Sequence, residues 1–382
     1  MRPQPKHTQR RRLGLELLED RRVLAGAVTA FKSGGNLVIT GDDAGNIITV
    51  ESFRAGVVQV RGFGGVNGTP TVLNGGANGL SLFFGVNDDI IIHMGRGNDL
   101  VRVTNLFIGR NLEVDMASGV DELITGRGTN SSPFGGTASG PLYVRGELLV
   151  LMGSEPDQFF QSDAHFQGVS QIDLGTGDDT WTAQRPSGSG ENVEFRSKLT
   201  IVPDEGNDSL NVTGLISQDV IINDESGVLN AQLASMDVFG ALKVLSTGGS
   251  DAIGISSTNV RGDMVISTQN GIDTVFFLGI ARTVSIDTGD GNDLVTVTSS
   301  RIDKLLASLG NNEDTINLSN LLANELTISG DDGNDVFDLR GVRAGTGAFN
   351  GNLGFDTYRE PIVPPNEIRR FTRILFERIE TF

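Results

Sequence analysis

The sequence has no cysteine, one tryptophan, two tyrosines and three histidines in 382 residues. The missing cysteine excludes disulfide staples and cysteine-ligated zinc, and by itself says little about compartment. With so few Trp and Tyr residues (Trp181, Tyr143 and Tyr358) there is little material for a sugar-stacking platform. No apolar run approaches the roughly 18 residues of a membrane-spanning helix, so no transmembrane segment is expected. No P-loop, zinc motif or Ser-His-Asp arrangement is recognisable, and His7, His93 and His165 stand isolated along the chain. His93, on an apolar strand, reads as a packed or wall residue. The 20 phenylalanines read as core filler.

Glycine is abundant, at 51 residues, in the company of Asp, Asn, Thr and Val, a vocabulary of turns and strands. Apolar residues make up 38%, too many for a disordered chain. The net charge is −18. Seven basic against three acidic residues leave +4 on residues 1–25, and therefore −22 on the remainder. A body that acidic repels nucleic acid and anionic membrane surfaces and attracts cations.

The dominant signal is an internal period. Turns related to Gly289-Asp290-Gly291-Asn292-Asp293 end at Asp99, Asp121, Asp157, Asp179, Asp208, Asp251, Asp273, Asp314, Asp335 and Asp356. From Asp251 to Asp356 the steps are 22, 20, 21, 21 and 21 residues. One acid is missing between Asp208 and Asp251, and its slot falls at Leu229. Nine residues before the slot stands an apolar residue in nearly every repeat: Ile90, Leu112, Leu148, Leu199, Val220, Leu242, Met264, Val284, Leu305 and Leu326. Alternating runs such as Leu294-Val295-Thr296-Val297 follow the slot.

Each repeat therefore reads as strand, turn, strand, turn. A unit this small buries its apolar face only against its neighbours. The expected fold is all-β: a single-stack parallel β-helix, or β-solenoid, of about 12 coils of roughly 21 residues, about 58 Å long at a strand spacing near 4.8 Å. Residues 86–356 form the stack. Residues 27–85 read as a hairpin-built N-terminal cap with the first irregular coils, and 357–382 as a closing cap of strand or short helix. Residues 129–141 and 184–192 are Gly/Ser-rich inserts, where a functional site on such a scaffold would be sought first.

Residues 1–26 have a basic start and a small-residue end, but Glu16, Glu19 and Asp20 break the apolar centre. On its own the segment also reads as an exposed amphipathic helix. The stretch "RRLGLELLEDRRVLAG" resembles the LEPR-XLL-type segment of large exported planctomycete proteins, with Asp20 where that motif has Pro. The resemblance implies a secreted or cell-surface location.

The turn at Gly289–Asp293 resembles the hemolysin-type (RTX) calcium-binding nonapeptide, with close copies at Gly95–Asp99, Gly175–Asp179 and Asp332–Asp335. The first glycine of that motif is replaced, by Met94 and Thr288 for example, and there is one turn per coil instead of two. The resemblance implies Ca2+ as a cofactor, held by oxygen ligands. The candidate ligands are Asp99, Asp179, Asp208, Asp290, Asp293, Asp314, Asp332 and Asp335. The alternative is an Asx turn, in which each Asp accepts a hydrogen bond from its own turn and points to water.

Two functions follow as expectations. One is a non-catalytic structural or adhesive module with an unidentified surface or matrix partner, polysaccharide included. The other is a polysaccharide-active lyase or hydrolase on the same scaffold.

Overall fold

A computed structural model describes residues 26–64, 71–77, 79–127, 140–186, 191–362 and 366–382. Among these there is no helix, and the strands stack into a parallel β-solenoid of about 12 turns of about 22 residues. The leader-like residues 1–25 lie outside the described residues, as do nearly all of the first insert and the centre of the second.

Residues one repeat apart pair directly. Leu242 lies opposite Met264, Met264 opposite Val284, Val284 opposite Leu305, and Leu305 opposite Leu326. Leu229 lies opposite Asp208, where the count places the missing slot. The alternation has the expected physical result. In Leu294–Thr298 the inward Val295 and Val297 are buried, and in Thr315–Ser319 Ile316 and Leu318 are buried. These columns merge into one core running from Val28 to Tyr358.

The second strand of each coil is more divided than the two-strand reading expects. In the early coils a corner splits it, as into Leu106–Ile108 and Leu112–Asp115. In the later coils the halves fuse, as in Arg301–Ser308, and a register shift in Ala252–Ser267 marks the former corner. A preceding corner is turned by one residue in the left-handed region: Asn105, Asp163, Ser235, Ser257, Ser299 and Asn320 occupy it in six of the coils, with φ between 47° and 54°, and glycines such as Gly214 and Gly341 in others. Short polar side chains tolerate that conformation best after glycine.

At the N-terminal end, Ala27–Ser33 pairs antiparallel with Asn36–Thr40, and Ile47–Arg54 with Val57–Gly62, so both strands of the first coil are covered. At the other end, Thr357–Glu360, Glu367–Ile374 and Arg378–Thr381 continue the parallel stack as strands. Arg373 takes an inward position there, opposite Phe349, and its guanidinium lies 4.7 Å from the Tyr358 ring centre.

Candidate functional site

The slot aspartates form a column inside the solenoid, interrupted once, at Leu229. All eleven, from Asp99 to Asp356, are only 0–3% exposed. Except at Asp208, whose next slot is Leu229, and at the final Asp356, the backbone N–H of each donates to Oδ1 of the slot aspartate in the next coil: Asp99 to Asp121 at 2.7 Å, Asp157 to Asp179 at 2.7 Å, Asp293 to Asp314 at 2.8 Å, and Asp314 to Asp335 at 2.9 Å. Across the gap the Leu229 N–H donates to Asp251 at 2.8 Å. The column starts at the Asn46 N–H, which donates to Asp99, and ends where Asp356 donates to Glu377 Oε2 at 2.8 Å.

This corrects the Asx-turn reading. The aspartates bond to a neighbouring coil and not to their own turn, and they face the interior and not water. The reason lies in the turn that precedes them. Gly291, with φ of 150°, presses its Cα against the Gly271 carbonyl of the coil before, which brings the backbone inward at the slot.

While Oδ1 is bonded, Oδ2 of every slot aspartate is buried with no hydrogen-bond partner. Burial, reinforced by neighbouring carboxylates, pushes these carboxyls up: Asp99, Asp157 and Asp314 to about 8, Asp208 and Asp335 to about 7, and Asp121 and Asp293 to about 6. The backbone hydrogen bonds at Oδ1 oppose the shift without cancelling it.

The coil whose slot is Leu229 has its own buried acid. Asp224, five residues before that slot, is 1% exposed and also pushed up to about 7 by burial. Slot counting misses it because it enters from the preceding strand. It stands five residues before the slot, where other coils carry the buried Met94, Met116, Met152 and Leu309.

Of the eight candidate metal ligands, Asp99, Asp179, Asp208, Asp293, Asp314 and Asp335 stand in the buried column. Asp290 and Asp332 lie on the exposed outer turn, with Asn311 bridged between them, and Asn311 Nδ2 donates to Asp290 Oδ1. Column and outer turn are thus on opposite sides of the backbone. Among the described residues no group of three or more His, Asp or Glu side chains forms a metal-holding set.

A second cluster corrects the reading of His165 as isolated. His165 is 8% exposed, with Nδ1 3.2 Å from Glu194 Oε2 and Nε2 3.3 Å from Glu191 Oε2 and 3.6 Å from Asp163 Oδ1. Arg127 Nε lies 2.9 Å from Asp163 Oδ2. Burial works against ionisation of Glu194, but bonds from Arg196 and His165 outweigh it and hold that carboxyl below its ordinary range. Tyr143 stacks on His165 with ring centres 4.7 Å apart and planes at 12°. Asp163 comes from the corner and Glu191 and Glu194 from the end of the second insert, so the slot period does not reveal them. His93 is a wall residue, 3.6 Å from Asp115 of the next coil.

Set against family models, curated proteins and solved structures, the chain finds no match in any of the three.

Proposed function

We propose that this chain is a non-catalytic structural or adhesive scaffold acting at the cell surface or in the surrounding matrix. The inward-facing aspartate column supports this reading best. The acids supplied by the repeat are engaged coil to coil instead of converging on a cleft. Other acids stay on the outside, Asp290 and Asp332 among them, and are suited to cationic or calcium-bridged contacts with a matrix polymer such as a polysaccharide. Calcium belongs to this reading as a counter-ion at the outer turns, where Asp290 and Asp332 are exposed. The export-segment resemblance supports the location.

Protease added to intact cells tests the location: cleavage of the chain supports it, and full protection counts against it. Melting with Ca2+ and with chelator tests the ion. An upward shift with Ca2+ that disappears in an Asp290→Asn/Asp332→Asn variant supports binding at the outer turns, and no shift removes calcium from the reading.

The His165 cluster favours a second reading, a polysaccharide-active enzyme, because an imidazole held among carboxylates is suited to proton transfer. Release of reducing sugar or unsaturated product from acidic polysaccharides, lost in His165→Ala, would reverse the ranking.

A further inference from the structure

We propose that the aspartate column is a proton-binding site: in the folded solenoid near neutral pH several of its carboxyls carry a proton on Oδ2. The chain takes these protons from solvent as it folds and returns them as it unfolds.

Three observations carry this. First, each carboxyl is sealed from water and has one oxygen bonded to a backbone N–H and the other bare. A buried carboxylate with an unpaired oxygen is costly, and neutralisation is the usual relief. Second, except across Leu229, the carboxyls stand in single file, one coil and therefore about 4.8 Å apart, where like charges repel more strongly than in water.

Third, every charged group acting on the column is itself acidic. Asp42 acts on Asp99, and Glu155 on Asp121 and Asp157. Asp178 acts on Asp179 and Asp208, and Asp224 on Asp208. Asp331 acts on Asp314 and Asp335, Glu313 on Asp335, and Glu377 on Asp356. No arginine, lysine or histidine among the described residues takes part. The upward shifts of these carboxyls agree in direction.

The sign is fixed by linkage. Unfolded aspartates ionise near their ordinary value, so between about pH 4 and 8 the folded state holds more protons than the unfolded one. Stability is then fullest in acid and is lost as pH rises. Each proton released on unfolding raises the unfolding constant tenfold per pH unit.

The test uses the full chain in excess chelator, so that calcium at the outer turns does not contribute. Unfolding by guanidinium in a pH-stat at pH 7 is expected to release more than one proton per chain. Infrared spectra of the folded protein should show a protonated-carboxyl band at pH 7 that fades by pH 9. Asp157→Asn/Asp314→Asn should lower the proton release and flatten the decline of Tm with pH. If that variant does not fold, the wild-type spectrum decides. Absence of the band at pH 7, proton uptake on unfolding, or a Tm that rises from pH 5 to 8 would overturn the proposal, whatever the outcome for calcium.

Discussion

Asp224 is buried against Ser246, whose hydroxyl donates to Asp224 Oδ2 at 2.9 Å, in the coil where Leu229 fills the slot. An acid absent from one face of the column is thus supplied from the neighbouring strand. Burial pushes this carboxyl up to about 7, and the Ser246 bond only partly opposes it. Its folded value lies above its unfolded one, so stability is full below about pH 4 and lost as pH rises through about 7. Asp224→Asn keeps the shape and removes the charge. The variant should melt within a few degrees of the parent at pH 5 and above it at pH 8. Thermal melts at the two pH values check this, and an equal difference at both would contradict it.

Two residues before the slot most coils carry glycine, Glu155 and Asn312 being exceptions with φ of 71° and 90°, and at Gly291 there is no room for a side chain. A Cβ on Gly291 would lie 1.4 Å from the Gly271 carbonyl oxygen, at a φ of 150°. Gly291→Ala should cost about 2–5 kcal/mol, from backbone strain together with displacement of the neighbouring coil. Gly248, in the corresponding turn of another coil, has nothing within 4 Å of a Cβ, and Gly248→Ala should change stability by no more than about 0.5 kcal/mol. Denaturant melts of the pair separate steric exclusion from a general demand for glycine.

Trp181 is fully buried beside Phe159, with ring centres 6.5 Å apart, and its Nε1 has no partner. Trp181→Phe loses volume but also removes an unsatisfied donor, and should cost under about 2 kcal/mol. Trp181→Ala opens a cavity between two coils and should cost about 3–5 kcal/mol. The ranking is read from denaturation midpoints by circular dichroism, since the substitutions remove the fluorophore.

The last coil protects the end of the core. Phe371 lies 5.5 Å from the Phe349 ring and 5.7 Å from that of Tyr358, both of which are buried. Deleting residues 367–382 should uncover both rings and the backbone edges of Arg343–Asn350 and Thr357–Glu360. The truncated chain is expected to aggregate at concentrations where the full chain stays dispersed, as light scattering would show.

The sequence alone determined the stack. A side-chain pattern that alternates within strands and returns every 20 to 22 residues has one economical burial, coil upon coil. Met264 therefore lies over Leu242, and Leu229 fills the empty slot opposite Asp208. Tertiary structure alone decided which side of the backbone the aspartates occupy. Alternation assigns inside and outside along a strand, but at a turn it lapses, and Asp290 and Asp293 look alike in the sequence although one is exposed and the other buried. Their separation comes from the glycine contact with the coil before and the amide waiting in it. The His165 cluster was illegible for a related reason: Asp163 turns a corner, and Glu191 and Glu194 rejoin the stack after an insert, so only the closed coil brings them to one imidazole.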